Sequence, residues 1–187
     1  LKIPFIGITG SNGKTTTKEL VNRVLSKKFK TGCTKGNLNN HIGVPLTLLS
    51  ITEEHEMAII EMGANHQHEI ELLCSIAQPT HVLITNVGKA HLEGFGGFEG
   101  VKKGKGEMYE FAKMHYSLVF INDDNPHLME MLGKYENRFR YGTQLTSDVS
   151  GKLTGTGSYV LLQWKSQKSP AWHNLQSQIT GVYNFEN

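Results

Sequence analysis

One stretch near the start of the chain, Ile6 to Thr17, restricts the fold more than any other: Ile-Gly-Ile-Thr-Gly-Ser-Asn-Gly-Lys-Thr-Thr-Thr. The apolar run Ile3 to Ile8 predicts a buried strand, and Gly10 and Gly13 bracket a tight turn. Lys18 to Leu25 then has helical spacing, with Leu20, Val21, Val24 and Leu25 on one face. Strand, glycine turn, Lys-Thr and helix is the layout of a phosphate-binding loop. Glycines lack the Cβ that would keep backbone N–H groups from crowding round phosphate oxygens. The helix start adds unpaired donors and a partial positive charge. Lys14 supplies a full charge to the β- and γ-phosphates, and the Thr15 hydroxyl suits Mg2+. The spacing is short, because the usual first glycine would fall at Ile8 and Gly7 stands one residue early. An ordinary junction that needs glycine is the plain alternative, but it gives no reason for Lys-Thr at the helix start.

The rest of the sequence reads as an α/β chain with a mostly parallel sheet flanked by helices. A short strand is expected near Thr31 to Thr34, then an asparagine- and glycine-rich loop from Gly36, with a short helix opened by Pro45. Those asparagines, Asn40 among them, are turn-makers or substrate-facing residues. Met57 to Glu61 is an apolar strand ending in a carboxylate. Ligands of parallel sheets sit at the carboxyl ends of the strands, so Glu61 is a candidate metal anchor, with an exposed strand-end acid as the alternative. A helix is expected over Asn65 to Ala77, burying Ile70, Leu72, Leu73 and Ile76, with Glu69 in its first turn. The strand His81 to Asn86 enters a glycine-rich loop that holds His91. From the residues alone, His91 is either a metal ligand or an uninvolved histidine. Further helices are expected over Phe98 to Met114 and Pro126 to Lys134, with strands over Tyr116 to Asn122 and Arg138 to Tyr141. Lys105 stands out because Gly104 and Gly106 flank it; each weakens a helix by about 1 kcal/mol relative to Ala, as if something must approach the backbone there. After Gly142 the texture becomes Ser-, Thr- and Gly-rich with alternating apolar residues, which predicts a small antiparallel appendage over 143–180 on a core of 1–142. The last residues read as a turn entering a helix.

The 187 residues suit one domain with a real core. A net charge of +2 without a basic block points to local phosphate binding rather than a nucleic-acid groove. No apolar run is long enough for a membrane span, and because the first residues read as a core strand no signal peptide is expected among them. Cys33 and Cys74 have no metal-type spacing and read as buried free thiols of a reducing compartment, the cytoplasm. Both ends look cut, as in a piece of a longer protein.

With these residues in view, the chain resembles the central, ATP-binding domain of the Mur ligases. The resemblance lies in Thr9 to Thr17, Asn37 to Leu49, Glu61 to Asn65, Thr85 to Phe95 and Gly104 to Glu107. The short phosphate loop is the normal form in that family. Among its members, Asn37 to Asn40, Met62 to Asn65 and Ala90 to Phe95 look most like those of the ligases that add D-alanyl-D-alanine (D-Ala-D-Ala) to UDP-N-acetylmuramoyl-tripeptide (UDP-MurNAc-tripeptide).

The resemblance implies ATP and two Mg2+ sites. Gly10, Ser11, Asn12, Gly13, Lys14, Thr15 and Thr16 would hold the nucleotide phosphates, and Asn184 and Asn187 the adenine. Thr15 and Glu61 would hold the first Mg2+. His91 and a CO2-modified Lys105 would serve the second, and Asn40 would face the substrate. Lys14, His91 and Lys105 are the implied catalytic set. The implied reaction passes through an acyl phosphate, with UDP-MurNAc-tripeptide and D-Ala-D-Ala as small-molecule partners and flanking domains of the same, monomeric, protein completing the site. The 187-residue piece alone is expected to make no product. The rivals are another Mur-like amide ligase, of folylpolyglutamate or cyanophycin synthetase type, and a phosphate-loop module of a different class. A GTPase would carry an Asn-Lys-x-Asp motif, and none occurs.

Overall fold

The computed structural model describes residues 2–88, 92–156 and 159–187. Their strands and helices run β1 (Phe5–Thr9), α1 (Lys14–Leu25), β2 (Thr31–Cys33), α2 (Gly43–Leu49), β3 (Met57–Glu61), α3 (Glu69–Ala77), β4 (His81–Ile84), α4 (Leu92–Phe95), α5 (Phe98–His115), β5 (Leu118–Asn122), α6 (Pro126–Leu132), β6 (Arg138–Gly142), β7 (Val149–Thr156), β8 (Val160–Ser166) and β9 (Ser169–Gln176), and the chain closes on a 3-10 turn, Val182–Phe185.

Among the described residues the strands form one nine-stranded sheet in the order β2-β3-β1-β4-β5-β6-β7-β8-β9. Pairing is parallel from β2 to β7 and antiparallel from β7 to β9. The expected antiparallel appendage is therefore present, with three strands, and it continues the main sheet through the short parallel pairing of Tyr141 and Gly142 with β7.

Strand alternation sorts the core. Ala58, Ile60, Val82, Ile84, Val119 and Ile121 share one cluster with α3, α5 and α6 residues such as Leu73, Met108 and Leu128. Ile8 and Ile59, both 0% exposed, lie on the opposite face, where α1 packs against β1, β2 and β3. The register decides what reaches the loop after β1: Ile8 pairs with Glu61, so the carboxylate ends its strand beside the last residues before the phosphate loop.

Several expected positions move. Leu72 and Ile76, expected inside, are 47% and 36% exposed, while Ile70, Leu73, Cys74 and Ala77 form the buried stripe of α3. On α1, Val24 is 71% exposed and the enclosed residues are Thr17 and Lys18. The helix is aimed by its loop, not by its own apolar stripe. Helix α3 starts at Glu69 and not at Asn65. The Glu69 carboxylate folds back to accept the Asn65 and His66 N–H groups at 2.6 and 3.0 Å, and His68 takes a left-handed φ of 67°. Both cysteines are free; Cys74 is buried and Cys33 half-buried. The final helix is a single 3-10 turn within the described residues.

Candidate active site

The turn between β1 and α1 is braced by the segment that follows β4. Ser11 N–H donates to the Asn86 carbonyl at 3.0 Å, and Asn12 N–H to Asn86 Oδ1 at 3.0 Å. Thr85 Oγ1 donates to the Asn12 carbonyl at 2.6 Å, and Gly88 N–H to Ser11 Oγ at 2.9 Å. Gly10 and Gly13 have φ of 143° and 77°, and a Cβ would stand 2.0 Å from Thr85 Oγ1 at the first and 2.1 Å from Asn187 Oδ1 at the second. Glycine is therefore required at both, by backbone and by space. Gly7 instead lies within β1 against Pro79, so it is a packing residue and not a misplaced loop glycine.

Lys14 opens α1 and curls over the turn, its ammonium donating to the Gly10 and Ser11 carbonyls at 2.8 and 3.2 Å. Burial pulls its pKa down, and the Glu61 charge partly opposes this. Thr15 Oγ1 donates to Glu61 Oε1 at 3.2 Å, and Asn39 Nδ2 donates to the same oxygen at 2.8 Å. Thr16 comes next, half-buried.

Glu61 is 1% exposed and its Oε2 has no hydrogen-bond partner. A carboxyl oxygen left without a partner in a buried site is costly, and a hydroxyl and a carboxyl group at the mouth of a phosphate loop are hard oxygen ligands. This donor set fits Mg2+. It is sparse: among the described residues no group of three or more His, Cys, Asp or Glu side chains is placed to hold a metal. His91 lies outside the described residues.

Asn40 is exposed, and its Oδ1 accepts from Ile42 and Gly43 N–H at 3.1 and 2.9 Å, closing a turn just before α2. It also lines a cavity of about 410 Å3 with Lys14, Asn39, His41, Ala64 and Glu69. It therefore makes a turn and borders the site at once. A larger hollow of about 570 Å3 lies at the opposite ends of β1 and β4, around Phe5 and Thr80, far from the phosphate loop.

Lys105 comes to the same region from α5, 2% exposed, with Nζ donating to the Ala64 carbonyl at 3.2 Å and lying 5.1 Å from the Phe95 ring centre. Burial, helped by the charge of Lys14, lowers its pKa to about 8 against the pull of Glu69 and Glu107. Glu107 in turn accepts from His68 and Glu71 N–H at 2.6 and 3.0 Å, tying the start of α3 to α5. The two glycines around Lys105 differ. A Cβ at Gly104 would meet Phe95 Cε1 at 2.4 Å, whereas at Gly106 the nearest atom is Met131 Cε at 3.6 Å. The close approach expected at both occurs at Gly104.

At the chain's other end, Asn187 sits beside the loop. Thr17 Oγ1 donates to its Oδ1 at 3.4 Å, and its Nδ2 donates to Asn184 Oδ1 at 2.8 Å. Sequence reasoning missed Asn39, Thr85 and Asn86. Nothing in a run of turn-forming residues marks the one that reaches a carboxylate.

Residues 8–187 match the family model described as Mur ligase middle domain. The chain belongs to the Mur ligase middle-domain family. It is 44% identical over 154 residues to the UDP-N-acetylmuramoyl-tripeptide–D-alanyl-D-alanine ligase of Bacillus subtilis, covering 81% of the chain and 34% of the relative. It is 39% identical over 188 residues to the ligase of that name from Synechocystis, covering 99% of the chain and 38% of the relative. Among solved structures, a MurF from Acinetobacter baumannii aligns with a TM-score of 0.85 at 32% identity, over 98% of this chain and 40% of that one. MurF from Thermotoga maritima in complex with ADP aligns at 0.80 and 30%, over 93% and 40%. The chain thus spans about a third to two-fifths of these relatives' lengths. Among the described residues no helix is long and apolar enough to cross a membrane.

Proposed function

We propose that this Mur ligase middle domain is the ATP-binding part of a cytoplasmic enzyme that adds D-alanyl-D-alanine to UDP-MurNAc-tripeptide in peptidoglycan precursor synthesis. The observation that carries the reading is the buried Glu61, with one oxygen shared by Thr15 and Asn39 and the other unpartnered, at the mouth of a loop built for phosphates. The names of the similar full-length relatives favour these substrates over those of other Mur-like ligases.

The loop from Gly10 to Thr16 takes the triphosphate, and Lys14 leaves the Gly10 and Ser11 carbonyls for the γ-phosphate. Asn187 lies beside Gly13 and is bonded to Asn184, which supports these two as the adenine contacts. Thr15 and Glu61 would hold one Mg2+, and His91 with modified Lys105 a second; the cations supply charge neutralisation at the transferred group. The neutral Lys105 amine, available near its pKa of about 8, attacks CO2. An N–C bond forms as one C=O π bond of CO2 opens onto oxygen, a proton leaves nitrogen, and the side chain ends in an anionic carbamate that would supply an oxygen ligand. The tripeptide carboxylate, placed in the cavity by Asn40, attacks the γ-phosphorus as the bond to ADP breaks, giving an acyl phosphate. The D-Ala-D-Ala amine then attacks the acyl carbon, phosphate leaves, and nitrogen loses its proton to form the amide.

The full-length protein is tested with ATP, D-Ala-D-Ala and tripeptide substrate labelled with 18O in the terminal carboxylate. The expected result is amide product with one 18O in the released phosphate, and no turnover by residues 1–187 alone. ADP release that ignores D-Ala-D-Ala, or phosphate without label, would refute the scheme.

A further inference from the structure

Lys18 is a charged side chain that the chemistry above leaves unused. It lies on α1, one turn beyond Lys14, and is 0% exposed. Its ammonium donates to the Thr34 carbonyl at 2.8 Å, and its other partner is Glu19 Oε1 at 2.8 Å, on a side chain 59% exposed. Enclosing an ammonium is costly, and an apolar side chain of similar length would fill the space between a helix and a sheet without that cost. The ammonium must therefore do something a methyl group cannot.

Thr34 indicates what. It is 1% exposed at the end of β2, and its Oγ1 accepts the Glu61 N–H at 3.0 Å. Its own N–H donates to the Ile59 carbonyl at 3.0 Å. One residue is thus held on one side by the helix that carries Thr15 and on the other by the strand end that carries Glu61. The Thr15 hydroxyl bonds the Glu61 carboxylate at 3.2 Å and closes the ring. Burial raises the pKa of the half-buried Cys33 thiol, while of the charges near it Lys18 draws it down and Glu19 and Glu61 push it up.

We propose that Lys18 is a positioning residue for the cation-binding pair: through Thr34 it sets the spacing between the Thr15 hydroxyl and the Glu61 carboxylate. The inference rests on the reading of those two groups as Mg2+ ligands. A nucleotide-bound cation needs both oxygens within a narrow range of distances, and both groups turn from their mutual bond to face it, so the link through Lys18 and Thr34 is what then holds α1 and β3 at that spacing. Groups that orient metal ligands from behind change metal affinity about 10- to 100-fold when removed.

The test is binding of a fluorescent ADP analogue to the full-length protein, titrated in EDTA and in Mg2+; the readout is the gain in affinity that Mg2+ confers. Lys18→Met is expected to cut that gain about 10-fold or more, with affinity in EDTA nearly unchanged. Thr34→Val removes the acceptor of the Glu61 N–H and should do the same, whereas Thr34→Ser retains it and should keep the gain. Glu61→Gln reports on the underlying reading. If Glu61→Gln loses the gain while Lys18→Met and Thr34→Val keep it, the proposal is overturned and the cation site stands. If Glu61→Gln keeps the gain, both fall. Equal losses with and without Mg2+ would make Lys18 a support of the loop alone and would also overturn the proposal. Should Lys18→Met fail to fold, the Thr34 pair decides.

Discussion

Alanine at Gly104 and at Gly106 should have opposite effects on stability, although the two glycines flank Lys105 alike in sequence. At Gly106 the new Cβ meets nothing nearer than Met131 Cε at 3.6 Å, an ordinary contact. Only the helix preference remains, about 0.8–1 kcal/mol in favour of alanine, or roughly 2–4 °C in Tm for a domain of this size. At Gly104 the Cβ stands 2.4 and 2.9 Å from Phe95 Cε1 and Cδ1. Phe95 is 3% exposed, so its ring is enclosed and has little room to withdraw. Overpacking costs about 1–3 kcal/mol, and the helix preference returns up to about 1 kcal/mol. The net loss is about 0–2 kcal/mol, a Tm lowered by up to about 8 °C. A displaced ring also uncovers the Lys105 ammonium, now 5.1 Å from its centre, so the pKa should climb from about 8 toward 10.5. Thermal unfolding of both variants checks the first part, and the pH dependence of amine labelling at Lys105 checks the second. If Gly104→Ala proves as stable as Gly106→Ala, the Phe95 packing does not explain the Gly-Lys-Gly stretch.

Three further outcomes are expected. Lys105 has a folded pKa of about 8 against 10.5 unfolded, so the unfolded chain binds the extra proton between those values and stability rises with pH across that window; Lys105→Met should therefore stabilise the CO2-free protein at pH 7, by an amount that shrinks as pH climbs from 8 to 10.5 in parallel urea titrations. Asn39→Ala removes a 2.8 Å donor from the buried Glu61 carboxylate and should cost about 1.5–3 kcal/mol in urea unfolding, whereas a loss under about 0.5 kcal/mol would mean that the carboxylate does not depend on it. Burial raises the Cys33 and Cys74 thiols to about 11 and 12, so a thiol reagent at pH 8 should label both only in denaturant; prompt labelling of native Cys33 would contradict its half-buried placement.

The local chemistry is legible in the order of the residues alone. Each part of the phosphate loop is encoded in neighbouring residues, because glycine conformations, the helix start and the Lys-Thr pair act within a few positions of one another. The same holds for the strand-end Glu61, since an apolar run closed by an acid declares both the strand and its tip. The Asn125 cap of α6, which accepts from His127 and Leu128 N–H, is a local signal of the same kind.

Other features depended on residues far apart in sequence meeting in space. The exposure of Leu72 and Val24 depends on which neighbours cover each helix, and a helical period alone does not name them. Asn39 looks like any turn asparagine until the end of β3 comes within hydrogen-bond reach of it. Gly104 and Gly106 carry the same letter, and only the position of the Phe95 ring separates a required glycine from a replaceable one. Nothing in the letters marks Lys18, yet the packing of α1 on β1, β2 and β3 encloses it against Thr34. The sequence by itself thus determined the kinds of groups present and the turn that gathers phosphates. Tertiary structure decided which partners those groups meet, because burial and electrostatic reach are set by distance through space and not by separation along the chain.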